Sequence, residues 1–296
     1  MEVNQMIRIA GIGDIHTSFD EEDVRLFNES DYDLILICGD LPGRSHKQTT
    51  AMGKIIADLE KPALMIPGNH DGTSVLQLLG EITGSERLKR PDSKMKGRLE
   101  DLKQALGAVR LGGYSRHGFD PLRGWVSEDS ELDIIVARPH SMGGKSIGFL
   151  PFIQSEYGVQ TQTESANRIF SLLEASSSPL RLVLAHNGPT GLGSLPSSIW
   201  GCDFDPERGD FGDPDLEEAI NEAKKARQQP TVVLAGHMHH ALKTGGQREW
   251  YEFIDGIHYI NAARVPRIFR ENGEKQRHHV RIELDRTDVQ IEQIYW

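Results

Sequence analysis

Hydrophobic residues along this chain gather in short runs, and five of these runs stop on Asp, Asn or His. Residues 7–12 lead to Asp14 and His16, residues 34–38 to Asp40, and residues 63–67 to Asn69, His70 and Asp71. Residues 180–185 lead to His186, and residues 231–235 to His237 and His239. Each run is brief, rich in Ile, Leu, Val and Ala, and usually closed by a glycine, which is the pattern of a buried strand. Between them lie stretches of helical period. Residues 21–30 are acidic and amphipathic, and residues 46–60 carry Met52, Ile55, Ile56 and Leu59 near helical spacing before Pro62. This β-α-β-α-β opening implies a parallel sheet with right-handed crossovers.

The pattern then changes. Residues 73–106 read as helical and charged, with an exposed break at 85–94. Residues 111–116 and 131–138 read as strands of a second sheet, and residues 163–175 and 214–228 as helices. From residue 241 onward the chain reads as antiparallel hairpins, at 248–254, 257–260, 279–284 and 289–296. Residues 188–214 are rich in Gly, Pro, Ser and Asp and too long for an ordinary connection, so they form a candidate lid. Its Trp200, Phe204 and Phe211 either stack on a nucleobase or fasten the loop to the core. With no repeat and no linker, residues 1–296 read as one domain.

In open α/β sheets the ligand site lies beyond the carboxyl ends of the strands. The residues found there, Asp14, His16, Asp40, Asn69, His186, His237 and His239, mix hard oxygen donors with imidazoles. That mixture suits two transition-metal ions, Mn, Fe, Zn or Ni, better than calcium or a thiolate-bound ion. Composition narrows the partners. The 296 residues include 33 Lys and Arg against 44 Asp and Glu, a net charge of −11, which argues against nucleic acid. The two cysteines, Cys38 and Cys202, make no disulfide framework or zinc pattern, so a reducing compartment is expected. The first residues lack a basic start and a long apolar stretch, and no run reaches the ~18–20 residues of a membrane span. A cytoplasmic location is the expectation.

Read together, Asp14-Ile-His16, Gly39-Asp40, Gly68-Asn69-His70-Asp71, His186 and Gly236-His237-Met238-His239 resemble the calcineurin-like metallophosphoesterases in kind and in order. The resemblance implies a four-layer αββα fold, two mostly mixed sheets packed as a sandwich and flanked by helices. It implies that Asp14, His16, Asp40 and His239 hold one metal, and Asp40, Asn69, His186 and His237 the other, with Asp40 bridging. It further implies a metal-bridging hydroxide that attacks phosphorus in line, with His70 stabilising the transition state or protonating the leaving oxygen. The sequence departs from the serine/threonine phosphatase branch at Gly43, where that branch has an Asp that supports the catalytic His. Asp71 or a backbone carbonyl is then expected to orient His70. Thr17 stands where a Gly often follows the first His. The loop that begins Asn187-Gly-Pro-Thr-Gly is similar to that of a little-characterised cyanobacterial and plastid branch.

Candidate substrate contacts are Arg44, Arg116, His117 and His140, each weighed against a purely structural role. His278 and His279 read as exposed hairpin residues, and Arg264, Arg267, Arg270, Lys275, Arg277 and Arg281 as a solvated face. The expected activity is metal-dependent hydrolysis of a small soluble phosphomonoester, phosphodiester or phosphoanhydride. A nuclease of the same superfamily and a non-catalytic metal-binding scaffold stand as alternatives.

Overall fold

The computed structural model describes residues 5–43, 45–85 and 92–296. In chain order the elements are β1 (Ile7–Ile12), α1 (Glu21–Glu29), β2 (Leu34–Ile37), α2 (His46–Ile56), β3 (Ala63–Met65), α3 (Val75–Thr83), α4 (Asp92–Ala105), β4 (Arg110–Leu111), β5 (Ser115–Asp120), β6 (Gly124–Val126) and β7 (Leu132–Val136). They continue with α5 (Leu150–Tyr157), α6 (Gln162–Glu174), β8 (Leu180–Asn187), α7 (Pro214–Lys225), β9 (Val232–Gly236), β10 (Tyr251–Ile254), β11 (Ile257–Asn261), β12 (Ile268–Glu271), β13 (Glu274–Leu284) and β14 (Val289–Tyr295).

The first sheet runs β12-β13-β1-β2-β3-β4, with β14 also paired to β13. The second runs β10-β11-β9-β8-β7-β5-β6. Both are mixed. Strands β1 to β4 are parallel, with β13 antiparallel beside β1. Strands β7, β8, β9 and β11 are parallel, with β5 and β10 antiparallel at the flanks.

Because side chains alternate along a strand, one set of apolar residues faces the other sheet and the next faces helices. Ile9, Leu34, Leu36 and Leu64 meet Ile134, Leu182, Leu184 and Leu234 between the sheets. Ala10, Ile35, Ile37 and Met65 pack outward with Val24 and Phe27 of α1, Ile56 of α2 and Leu102 of α4. Ile135, Val183 and Val233 pack outward with Phe152 of α5, Ile169 of α6 and Ile220 of α7. The result is a four-layer α-β-β-α sandwich. Capping agrees with it: Asp20 accepts from the backbone of Asp23, whose carboxylate accepts from the backbone of Asp20.

Three expectations are corrected here. Leu111 belongs to the first sheet, paired with Met65, not to the second. His278 and His279 are 1% and 0% exposed, because β13 lies between β1 and β14 and is covered on both faces. His279 stands against Phe27, Tyr32 and Trp296. Arg267 and Arg277, read as solvated, are buried as an ionic knot around Asp23 at 2.9 and 2.7 Å. The exposed break expected at 85–94 falls largely outside the described residues.

Candidate metal centre

The parallel strands of the two sheets end at a common rim. Asp14 and His16 follow β1, Asp40 follows β2, and Asn69 and His70 follow β3. His186 lies at the end of β8, and His237 and His239 follow β9. The chain must turn sharply there. Asp14, His16, Asp40 and His237 all have positive φ, at 44°, 41°, 54° and 69°. Asp and His tolerate this region better than most residues, yet it carries strain, which commonly gathers at functional sites. Two glycines open the space the carboxylates need. A Cβ on Gly68 would lie 2.2 Å from Asp40 Oδ1, and one on Gly236 would lie 2.3 Å from Asp14 Oδ1.

Two donor groups result. Asp14, His16 and His239 have ligand atoms within 4.8 Å of one another, and so do Asp40, His186 and His237. Asp40 lies between them, its Oδ2 3.9 Å from His16 Nε2 and 3.7 Å from His186 Nε2. Asn69 Oδ1 is 2.9 Å from His186 Nε2. The structure thus brings together all seven candidates.

Backbone contacts orient these side chains. His16 Nδ1 donates to Pro42 O at 3.0 Å, and His186 Nδ1 donates to Cys38 O at 2.6 Å. Each ring therefore turns the lone pair of Nε2 toward the centre. His237 N donates to Asp14 Oδ1 at 2.9 Å, and His70 N donates to Asp40 Oδ1 at 2.8 Å. The other carboxylate oxygens stay directed inward.

Carboxylate oxygens and imidazole nitrogens converge here. His16 Nε2 and His239 Nε2 stand 3.3 Å apart, and buried Asp14 Oδ2 lies 3.2 Å from His239 Nε2. Burial raises the Asp14 carboxyl, but the hydrogen bond and charge of His239, with His186 and His16, outweigh it and hold it well below the usual range. Asp40 behaves alike: burial raises it, and His186 and His70 bring it down. His237 is pushed down to about 3 by burial and then by His186, so it presents a neutral ring. Carboxylate oxygens and imidazole nitrogens facing one another fit cations, and the donor set suits two transition-metal ions.

The orientation of His70 differs from expectation. Asp71 is buried, and its carboxylate accepts from the backbone N–H groups of Asp40, Leu41 and Gly68 at 2.8, 3.1 and 2.9 Å. Burial and the charge of Asp40 push it up to about 7 while those three groups hold it in place. Asp71 therefore fixes the turn that carries Asp40 and Asn69, and its hydrogen bonds go to that turn's backbone, not to the His70 ring. That ring is half-buried and stands edge-on to His16, centroids 5.4 Å apart.

The substrate candidates lie elsewhere. Arg116 pairs with Asp133 at 2.9 Å, and His117 contacts Ser115 at 3.0 Å, both on β5 toward the edge of the second sheet. His140 is fully buried, with Nδ1 donating to Gly68 O at 2.9 Å, so it braces the Asn69 turn. None of the three lines the cavity over the metal ligands. Arg44 lies outside the described residues.

That cavity, about 530 Å³, is lined by His16, Asp40, Asn69, His70, His237 and His239 and also by Asp203, Phe204, Met238, Lys243 and Val265. Asp203 and Phe204 come from the 188–214 loop, which is fastened rather than free. Trp200 and Phe211 are buried, and Trp200 Nε1 donates to Gly236 O at 3.2 Å. Arg248, fully buried, donates to the carbonyls of Pro196, Ser198 and Gly201, to Asp203, and to the carbonyl of His239. Nothing local in the sequence marks Arg248 or Lys243; the unusual length of the loop was the one available signal for Phe204.

No helix among the described residues is long and apolar enough to cross a membrane. One solved chain superposes with a TM-score of 0.58 at 11% identity, covering 98% of this chain and 99% of that one. The crystal structure of TT1561 of Thermus thermophilus does so at 0.53 and 13%, covering 97% and 99%. Identities this low show the fold alone. No curated protein matches the chain. The calcineurin-like phosphoesterase family matches residues 7–241, most of the chain and every candidate metal ligand. On that match, and on a donor set that suits metal ions, the chain belongs to the calcineurin-like phosphoesterase family and is a metal-dependent phosphoester hydrolase.

Proposed function

We propose that the chain hydrolyses a small phosphomonoester or phosphodiester in the cavity above the paired donor groups. The observation that carries this reading is that His70 and ligands of both groups line one cavity of about 530 Å³, within the size range of small-molecule sites. Asp14, His16, Asp40 and His239 would hold one ion, and Asp40, Asn69, His186 and His237 the other. Two such ions supply an activated water and charge neutralisation on the phosphoryl oxygens. The residues of this chain do the rest. Asp40 is fixed by the N–H of His70, so the shared carboxylate and the His70 backbone move as one. The His70 ring faces the cavity without a hydrogen bond to a described residue. An imidazole so placed can protonate the leaving oxygen. The net charge of −11 favours a small molecule over a polynucleotide.

The test is hydrolysis of p-nitrophenyl phosphate and bis-p-nitrophenyl phosphate after reconstitution with Mn²⁺, by the wild type and His70→Ala. The variant is expected to keep its metal content and lose roughly 10²- to 10⁴-fold in turnover. Loss of metal from His70→Ala would overturn the assignment of His70, and no turnover of either ester by the wild type would count against the activity.

A further inference from the structure

The lining of the cavity is chemically divided. One part is the polar cluster of ligands; the other is Phe204, Met238, Ala241, Val265 and Lys243. Among the described residues, Phe204 is the sole phenyl or indole ring in the lining. It is 44% exposed, although its loop buries Ile199, Trp200 and Cys202 almost completely. The ring is also held in place. Phe211 meets it edge-on with centroids 5.1 Å apart. The preceding residue, Asp203, accepts from buried Arg248 at 3.1 Å and from the Lys243 backbone N–H at 2.9 Å. Lys243 Nζ lies over the Phe204 ring, 5.3 Å from its centroid, with the Arg208 guanidinium at 5.9 Å, and it pairs with no carboxylate among the described residues. A fixed, partly exposed aromatic ring beside a phosphoryl site is suited to stacking a flat ring, and an ammonium at that ring with no carboxylate partner among the described residues favours an anionic ligand.

We propose that Phe204 and Lys243 form a subsite for the organic group of the substrate: a flat aromatic ring, nucleobase or aryl, lies on Phe204 while Lys243 faces the negative charge of the same ligand. This rests on the phosphoester reading of the neighbouring metal centre and names its substrate class.

Phosphonates test it without turnover, because their carbon–phosphorus bond replaces the ester. Calorimetric titration of the Mn²⁺-loaded protein would compare adenosine 5′-phosphonate with ribose 5-phosphonate, and benzylphosphonate with propylphosphonate. The ring-bearing member should bind roughly 5- to 150-fold more tightly, the worth of a base stacked on an aromatic side chain. Phe204→Ala should erase that difference and Phe204→Tyr should keep it. An advantage confined to the adenosine pair identifies a nucleobase, and one confined to the benzyl pair an aryl group. Lys243→Met should weaken every phosphonate, and unchanged affinity would remove the lysine from the subsite. Equal affinity with and without a ring, or an equal loss for both in Phe204→Ala, overturns the proposal while leaving the hydrolytic reading intact. A protein that binds ringed phosphonates through Phe204 but hydrolyses no ester sinks the hydrolytic reading alone. Failure to bind any phosphonate sinks both.

Discussion

Replacing Arg248 by methionine should cost about 3–5 kcal/mol of folding stability, the range seen when one partner of a buried ion pair is removed. The structure explains why the cost falls at the upper end of single substitutions. The side chain is 0% exposed and gives five hydrogen bonds. Methionine keeps much of the apolar stem but leaves the carbonyls of Pro196, Ser198, Gly201 and His239 without this donor, and Asp203, 11% exposed, without its counter-ion. Against a total of about 5–15 kcal/mol for an ordinary domain the loss is large. At roughly 2 °C per kcal/mol for a chain of this size, Tm should fall by roughly 6–10 °C. Urea denaturation of both proteins, followed by tryptophan fluorescence, measures it, with an unchanged m-value showing that the loss belongs to the native state. Lysine should not rescue, since a point charge cannot reproduce the fork that spans the loop and the His239 strand end. A loss below about 1 kcal/mol would refute the reasoning, because it would mean that water serves those acceptors and that the loop is not fastened by Arg248.

Asp40→Asn should lower the occupancy of both metal positions, because the shared carboxylate loses its charge; retention of two ions per chain after dialysis, counted by plasma mass spectrometry, would remove the bridging role. Gly68→Ala should reduce metal content as well, since its Cβ would stand 2.2 Å from Asp40 Oδ1, and wild-type content would show that the turn can give way. The third prediction concerns pH. Burial, followed by the charges of Arg267 and Arg281, pushes His279 down from 6.5 to about 3, so between those values the unfolded chain binds a proton that the folded chain refuses. Its penalty is absent above about pH 7, grows as pH falls below 6.5, and reaches about 2 kcal/mol at pH 5. His279→Gln should therefore lose about 2 kcal/mol less than the wild type between pH 7 and pH 5 in urea titrations, and parallel losses would contradict the burial of a neutral ring.

The metal centre was legible in the sequence because strand termination is a local property. An apolar run that stops on Asp, Asn or His marks itself, and five such stops in order are enough to group their side chains. The misread residues share a different origin. Burial of His279 depends on α1 and Trp296, and burial of Arg267 depends on Asp23, some 240 positions away in the chain. Polar residues in a hairpin carry no local sign that another element will cover them. The same holds for His140, whose imidazole looked available at a strand end yet serves the carbonyl of Gly68.

The sequence by itself determined the strand ends and the donor types gathered there, since these follow from short-range alternation and from the identity of seven side chains. The tertiary structure decided what surrounds them. Phe204, Met238, Lys243 and Val265 reach one cavity from separate segments. Arg248 joins the long loop to the His239 strand end, and β13 draws the C-terminal hairpin into the first sheet. Those relations are set by packing between distant segments, where burial and hydrogen-bond satisfaction choose the partners and no periodicity along the chain records the choice.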